Sequence, residues 1–313
     1  MKIIDHETIQ NLNIDYLKYY EWAKETFLNK ENCILPPKIS MKQEKHIFIN
    51  VMPSIIKNIN AAGVKVVSRY PERKPSLDSQ ILLYEANTGK DLALLDANII
   101  TAYRTGAVAT LALNTLAPEN YETIAMIGLG NVAYATYNIY LKTTTRNIKV
   151  KLMKYKDTAE NFIKKYQKYK NIEFEIVDNY KDLITNSDII ISCVTSTDIN
   201  FGEDEWFKEG CLVIPVHTLG FQNCDLFFDK FIVDDISHVE NFKYYNKFKE
   251  THELADVLKN PKLGRTNNSE RIMAYNIGNS IFDIYFAKKI YDLVKEKELK
   301  EINLLPPTEK YWI

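Results

Sequence analysis

The stretch TIAMIGLGNVAYATYNIY, residues 123–140, decides the fold. A run of strand-forming apolar residues leads into Gly-x-Gly-x-x-Ala, and a sequence compatible with a helix follows. The first glycine, Gly128, permits a tight turn, and the second, Gly130, lets the backbone approach a pyrophosphate at the positive end of the helix. This order predicts a dinucleotide-binding turn, with Gly128, Gly130, Asn131 and Val132 as cofactor-binding candidates. The alternative is a tight strand-to-helix turn in a sheet that binds nothing.

Apolar strand candidates recur on both sides of this turn and are separated mostly by helical or loop segments. They cover residues 123–127, 148–153, 174–177, 189–194, 211–215 and 231–233. Such alternation predicts a parallel, doubly wound sheet of the Rossmann type over roughly residues 118–270.

The residues before this region follow a different pattern. An approximately helical recurrence covers residues 14–29, and short alternating or apolar runs follow it. These runs cover residues 46–52, 63–67, 80–86 and 92–95, with a hairpin turn at 87–90. We therefore expect a mainly antiparallel sheet in the first third of the chain.

Two further helices are expected. Asp96 is the predicted N-cap of a helix over residues 97–116, which Pro118 ends. A last amphipathic helix, over residues 281–298, is expected to pack back on the first domain.

Composition excludes several classes of protein. The 313 residues are 46% hydrophobic and 26% charged, which is typical of a globular chain and not of a disordered one. Lysines and arginines number 40 against 41 acidic residues, so no field of one sign exists to hold nucleic acid or an anionic membrane. We expect a small-molecule partner.

The four cysteines and the first ten residues exclude further classes of protein. Cys33, Cys193, Cys211 and Cys224 are far apart and form no metal-ligand spacing, which argues against a disulfide scaffold and predicts no metal site. The first ten residues, MKIIDHETIQ, lack the apolar core of a signal peptide, and no apolar run is long enough for a membrane span. The expected location is the cytoplasm.

A series of short motifs extends this interpretation. In order, they are Met52-Pro53, GVKVV (63–67), LALLD (92–96), TAYRTGA (101–107), SCVTST (192–197), FKEG (207–210), VDD (233–235), GRT (264–266) and YNIG (275–278), followed by Asp283. Together with the glycine turn, they resemble the ornithine cyclodeaminase and mu-crystallin family over about residues 36–290.

The resemblance implies an architecture and a chemistry. Residues 1–117 plus 280–313 would form an α+β substrate-binding and dimerisation domain, and residues 118–279 an inserted Rossmann domain, with the chemistry in the cleft between them. The protein would be a homodimer that binds NAD or NADP and transfers a hydride at the α-carbon of a small amino or imino acid. An amino-acid dehydrogenase or imine reductase is the main hypothesis. Ornithine cyclodeaminase, and a non-catalytic protein that binds NADP and a small ligand, are the alternatives.

Three cations are candidates for binding the substrate carboxylate. Lys65 interrupts an apolar strand, where an ammonium is costly unless it meets an anion, although it could also point to solvent. Arg104 lies in an apolar helix, and its planar fork suits a carboxylate, with an internal ion pair as the alternative. Lys38 occupies the place where the family usually has arginine, and lysine keeps the charge but loses the fork.

The resemblance also adds cofactor-binding candidates outside the glycine turn. Thr195, Ser196 and Gly278 match family motifs. Thr105 either helps to bind the cofactor phosphate, or fixes Arg104, or makes only an intrahelical hydroxyl contact.

A further set of residues bears on the 2′-phosphate that distinguishes NADP from NAD. The strand over residues 148–153 ends in Lys154-Tyr155-Lys156, without the acid that would bind a ribose 2′-hydroxyl. Lys154 or Lys156 could face a 2′-phosphate instead, although lysines usually face water, and this favours NADP slightly over NAD.

The chain departs from the family at the turn after residue 215. Gln222 or Asn223 occupies the position of the family's acid, and the family's proline is missing. An amide cannot exchange a proton at neutral pH, so an amine substrate would lack its base unless Asp225 or His217 replaces it. The altered turn therefore favours reduction of a preformed imine over cyclisation of ornithine.

Overall fold

A computed structural model describes residues 1–304 and 309–310. The chain divides into two compact units. The first contains Met1–Asn13, Glu31–Ile100 and Asp283–Ile313, and the second contains Ile14–Lys30 and Thr101–Phe282.

The first unit is built on a seven-stranded sheet. Its strands are β1 (Lys2–Ile4), β2 (Cys33–Ile34), β3 (Ile39–Glu44), β4 (Ile47–Ile56), β5 (Ala61–Arg69), β6 (Leu77–Glu85) and β7 (Asp91–Asp96). Their order is β1-β7-β6-β5-β4-β2, and β3 pairs with β4. Every neighbouring pair is antiparallel except β1 and β7, so the prediction of a mainly antiparallel sheet is confirmed. The turn between β6 and β7 contains Gly89 at φ +71°, a conformation that favours glycine.

The second unit contains an eight-stranded, fully parallel sheet. Its strands are β8 (Thr123–Ile127), β9 (Ile148–Met153), β10 (Ile172–Val177), β11 (Ile189–Ser192), β12 (Leu212–Pro215), β13 (Lys230–Val233), β14 (Thr251–Glu253) and β15 (Ile272–Tyr275). The order is β10-β9-β8-β11-β12-β15-β13-β14, in which β15 lies between β12 and β13. The six expected strands are all present, and the sheet is the doubly wound one that the sequence predicts.

Eight α-helices accompany the strands among the described residues. They are α1 (His6–Asn11), α2 (Tyr16–Leu28), α3 (Asn98–Leu116), α4 (Asn131–Thr143), α5 (Thr158–Tyr166), α6 (Tyr180–Ile184), α7 (Leu254–Lys259) and α8 (Ser280–Val294). Helix α3 begins one residue later than expected. Asp96 lies just ahead of it and accepts a hydrogen bond from the Asn98 backbone N–H at 3.1 Å.

Helix α3 packs closely on α4 within the second unit. A Cβ on Gly106 would lie 2.5 Å from the Thr136 backbone nitrogen, so only glycine allows this approach. The Thr110 hydroxyl lies 3.2 Å from the Thr136 carbonyl oxygen. In the same unit, the Tyr19 ring of α2 stacks on Tyr103 of α3, with ring centroids 4.4 Å apart. These contacts group residues 14–30 and 101–117 with the parallel sheet, whereas the sequence interpretation assigns both segments to the other domain.

Helix α8 packs on the first unit's sheet. Its range, Ser280–Val294, is close to the predicted 281–298. A Cβ on Gly63 of β5 would lie 2.7 Å from the Ile284 side chain, so glycine allows the helix to approach the strand.

Within residues 1–304 and 309–310, no helix has both the length and the apolar composition needed to cross a membrane. The same residues contain no group of three or more His, Cys, Asp or Glu side chains that could hold a metal ion. All four cysteines are thiols, and three of them are buried.

Candidate active site

The turn between β8 and α4 has the geometry of a phosphate-binding turn. Gly128 has φ +78°, and a Cβ on it would lie 2.8 Å from the Val194 side chain and 2.9 Å from the Val194 nitrogen. Gly130 differs, because no described residue other than its immediate chain neighbours lies within 4 Å of the position its Cβ would take. The backbone at Gly130 therefore faces open space.

Helix α4 begins directly after Gly130. The first N–H groups of a helix have no intrahelical acceptor, and they lie at the positive end of the helix dipole. The exposed Asn131 and the half-buried Val132 belong to this first turn. Because Gly130 has no side chain, an anion can approach these N–H groups closely. The turn therefore fits a dinucleotide pyrophosphate.

The strand order shows which side of the sheet would hold each half of a dinucleotide. The strand order reverses direction between β8 and β11. In such sheets, ligands bind at the carboxyl ends of the strands next to this reversal. The ribose next to adenine lies at the tip of the second strand, which is β9 here. The nicotinamide half therefore belongs on the side of β11, β12 and β15.

The tip of β9 carries cations and no acid. Lys154 is half exposed, and its Nζ lies 3.2 Å from Asp178 Oδ1. Tyr155 is 65% exposed, and Lys156 has φ +52°. Met153-Lys154-Tyr155-Lys156 thus presents two ammonium groups where NAD-specific sheets place a carboxylate.

The segments after β11 and β12 lie on the nicotinamide side. Thr195 and Ser196 follow β11 and are exposed. Ser192, the last residue of β11, is buried, and its hydroxyl lies 2.6 Å from His217 Nε2. Burial lowers the pKa of His217 to about 4, so this imidazole is neutral at pH 7.

The altered turn is a short 3₁₀-helix over residues 222–227. Gln222 is half-buried within it. The Asn223 amide donates to the Gly202 carbonyl oxygen at 2.8 Å and lies 3.2 Å from Cys224 Sγ. The Asn223 side chain therefore fastens this turn to the loop at residue 202.

Asp225 lies in the same 3₁₀-helix but is buried, with 1% of its surface exposed. The Tyr275 hydroxyl donates to Asp225 Oδ1 at 2.7 Å. Burial raises the pKa of the Asp225 carboxyl to about 7. The neighbouring Cys224 is also buried, which raises the pKa of its thiol and makes it a poor nucleophile.

Arg104 and Gly278 are brought into contact. Arg104 on α3 is 7% exposed. Gly278 follows β15 at φ +93°, and a Cβ on it would lie 2.3 Å from Arg104 Nη1 and 3.1 Å from Cζ. The guanidinium therefore lies against the Gly278 backbone. The neighbouring Thr105 hydroxyl donates to the Thr101 carbonyl oxygen at 2.7 Å, which is the intrahelical contact considered from the sequence.

Asp234 holds the segment that contains Gly278, a role that the sequence did not reveal. Asp234 directly follows β13 and is fully buried. Its Oδ2 accepts a hydrogen bond from the Gly278 N–H at 2.5 Å, and its Oδ1 lies 3.0 Å from His238 Nδ1. Asp234 occurs in the VDD motif (233–235), and nothing in the sequence pattern links it to residue 278.

Two buried asparagines lie on either side of Gly278, and the sequence pattern assigns neither of them a role. Asn276 and Asn279 are each 2% exposed. Asn276 Nδ2 and both polar atoms of Asn279 have no hydrogen-bond partner in the described part of the chain. The only sequence signal was their place in Asn-Ile-Gly-Asn, between a strand and a helix.

The first unit holds the other two candidate cations. Lys65 on β5 and Asp283 on α8 form a buried ion pair, with Nζ and Oδ1 2.9 Å apart and exposures of 1% and 0%. Asp283 therefore compensates the cost of burying the ammonium. Lys38 is exposed, directly before β3.

The profile of the Ornithine cyclodeaminase/mu-crystallin family matches residues 4–298. The chain belongs to this family. The resemblance drawn from the motifs is thereby confirmed for nearly the whole chain.

The chain is also similar to several proteins of known structure or activity. The solved structure of Thermococcus litoralis Δ1-pyrroline-2-carboxylate reductase in complex with NADH and L-proline superposes with a TM-score of 0.85. It is 26% identical and covers 96% of this chain and 100% of its own. Δ1-pyrroline-2-carboxylate reductase of Bacillus thuringiensis is 25% identical over 315 residues, which are 93% of this chain and 95% of that one. The mouse ketimine reductase mu-crystallin is 29% identical over 174 residues, 54% of each chain.

Proposed function

We propose that this family member is an NAD(P)H-dependent reductase of a small cyclic α-imino acid, with a carboxylate next to the imine carbon. One observation carries the proposal. The backbone at Gly130, directly ahead of α4, is open to a cofactor pyrophosphate, and the chain is similar to imino-acid reductases over nearly its full length.

The residues of the second unit fit the cofactor. Gly128, Gly130, Asn131 and Val132 would hold the pyrophosphate, and Thr195, Ser196 and Gly278 would line the nicotinamide side. When bound, the reduced cofactor supplies the hydride that the imine carbon accepts.

The cations give the substrate its orientation. Arg104 offers two parallel N–H donors that match a carboxylate, and the contact with Gly278 restricts where its fork can lie. Lys65, which its ion pair with Asp283 stabilises in a buried position, is the second candidate for the carboxylate. Lys38 is the third candidate for the carboxylate. A substrate that is already a protonated imine needs orientation and charge complementarity more than it needs a base.

The altered turn supports reduction over ornithine cyclisation. Cyclisation needs a group near the substrate nitrogen that accepts and returns protons. Gln222 and Asn223 carry amides, and the Asn223 amide is already bonded to the Gly202 carbonyl. Neutral His217 is bonded to Ser192, and the Asp225 carboxyl is bonded to Tyr275.

The lysines at the tip of β9 support NADPH over NADH. Lys154, which also contacts Asp178 Oδ1 at 3.2 Å, and Lys156 would pair with the 2′-phosphate, and residues 153–156 themselves include no acid.

The test is a pair of assays on the purified protein. We expect Δ1-pyrroline-2-carboxylate with NADPH to yield proline and to consume NADPH, faster than with NADH. We expect ornithine with NAD to yield little proline. Efficient conversion of ornithine would instead assign cyclodeaminase activity. Binding of NADPH without turnover of any imino acid would assign a non-catalytic binder.

A further inference from the structure

Asn279 is a buried amide whose hydrogen-bonding capacity the protein does not use. It lies between Gly278 and the first residue of α8. An asparagine directly before a helix normally accepts a hydrogen bond from a first-turn N–H. Here neither Oδ1 nor Nδ2 has a partner within residues 1–304 and 309–310, although the residue is 2% exposed. Because a buried polar group without a partner is destabilising, these two atoms point to a ligand.

The backbone that carries Asn279 is held firmly on one side. The Gly278 N–H donates to the buried Asp234 carboxylate, and the Gly278 α-carbon lies against the Arg104 guanidinium. This segment follows β15, on the side of the sheet that would hold the nicotinamide half of the cofactor. The Asn279 amide is thus placed on a fixed segment on the nicotinamide side.

We propose that Asn279 binds the carboxamide of the nicotinamide ring through a paired amide contact. Asn279 Nδ2 donates to the carboxamide oxygen, and Asn279 Oδ1 accepts from the carboxamide NH₂. This proposal rests on the proposed function, since it requires a nicotinamide cofactor.

The chemistry favours a carboxamide over the other groups at such a site. A primary carboxamide has an acceptor and a donor side by side, and it is therefore complementary to both atoms of Asn279. A substrate carboxylate would satisfy Nδ2 and repel Oδ1, and an iminium N–H would satisfy Oδ1 alone. Both atoms of the Asn279 amide lack a partner, so the argument does not depend on which of them was assigned as oxygen.

Ligand affinities measured by calorimetry test the assignment. Asn279→Leu keeps the approximate shape and removes both polar atoms. We expect the affinity for NADPH to fall about tenfold, with no change in the affinity for ADP-ribose, which lacks the nicotinamide. The 3-acetylpyridine analogue of the cofactor, which lacks the NH₂ group, should bind the native protein more weakly than the natural cofactor does. The variant should bind both equally.

A second variant and a control separate the outcomes. Asn279→Asp removes the donor and retains similar size, so it should also weaken NADPH binding selectively. Asn114→Leu, at an exposed position of α3, should leave all affinities unchanged. Unchanged NADPH affinity in Asn279→Leu, or an equal loss for ADP-ribose, would overturn the assignment. If the native protein binds neither NADPH nor ADP-ribose, the proposed function itself fails.

Discussion

The Arg104 guanidinium packs against the backbone of Gly278, and any side chain at residue 278 would displace it. We predict that Arg104→Ala raises KM for the imino acid by about a hundredfold, since a charge-assisted bidentate contact contributes on the order of 3 kcal/mol. The Kd for NADPH should stay within twofold of the native value. Steady-state kinetics and calorimetry give the two numbers. An equal loss of substrate and cofactor binding would mean that Arg104 is structural or contacts the cofactor.

Asp225 gives a prediction about stability and pH. Burial raises the pKa of its carboxyl to about 7 in the folded protein, against 3.8 for an ordinary aspartate, so the folded state retains a proton that the unfolded chain releases between these values. Stability therefore falls as the pH rises from about 4 to about 7. Asp225→Asn removes this dependence, and its advantage over the native protein should grow across that window to roughly 4 kcal/mol at most, at 1.36 kcal/mol per pKa unit.

Urea denaturation at pH 5 and pH 8 measures this effect. His217, whose pKa burial lowers to about 4, acts in the opposite direction, because the unfolded chain takes up a proton that the folded state lacks. Its contribution is present in both proteins and cancels in the difference between them. A difference in unfolding free energy that is the same at both pH values would contradict the assignment of the raised pKa to Asp225.

At the scale of elements, the end of β13 fixes the turn that follows β15. Asp234 accepts from the Gly278 N–H and so determines where Gly278 meets Arg104. We predict that Asp234→Ala raises KM for the imino acid about tenfold and changes kcat less, because the fork of Arg104 shifts while the cofactor stays in place. Asp234→Asn retains an acceptor for the Gly278 N–H and should restore most of the affinity. A purely structural role would lower stability in both variants without moving KM.

Most strands of the parallel sheet were predictable from the sequence, but β14 and β15 were not. The predicted bounds of β8 and β9 agree with the structure because apolar runs end there at a glycine turn and at a lysine cluster. Strand β15 is as short as the predicted β12 and β13, and the sequence motifs include only its last residue, Tyr275. Its place between β12 and β13 depends on pairing with strands that are distant in the sequence. Gly106 was also unremarkable in the sequence, since its role depends on the approach of α4.

The candidate site divides in the same way. Gly130 could be predicted because its chemistry lies in one local motif. The roles of Asp234 and Asn279 could not be predicted. Asp234 acts on Gly278, which is 44 residues away in the sequence, and Asn279 is notable only because its side-chain amide has no hydrogen-bond partner in the described part of the chain. Lys65 was expected beside a substrate, and its ion pair with Asp283 spans 218 residues of sequence.

At the scale of the whole molecule, we predict that the protein forms a homodimer. Strand β3 is exposed along its length and includes Ile39 and Met41, which are 60% and 50% exposed. Apolar side chains at such exposure favour contact with another surface. We predict twice the chain mass in light scattering, and the mass of one chain for Ile39→Lys combined with Met41→Lys. A native protein of single-chain mass at micromolar concentration would contradict the prediction.

The ion pair between Lys65 and Asp283 also has a consequence for synthesis on the ribosome. At about 5–20 residues per second, the carboxylate is synthesised roughly 10–40 seconds after the lysine. During that interval, burying the Lys65 ammonium would be costly, because its counter-ion does not yet exist. We therefore expect α8 to complete the packing on β5 only after residue 283 has been synthesised, whereas all eight strands of the parallel sheet are already synthesised by residue 275.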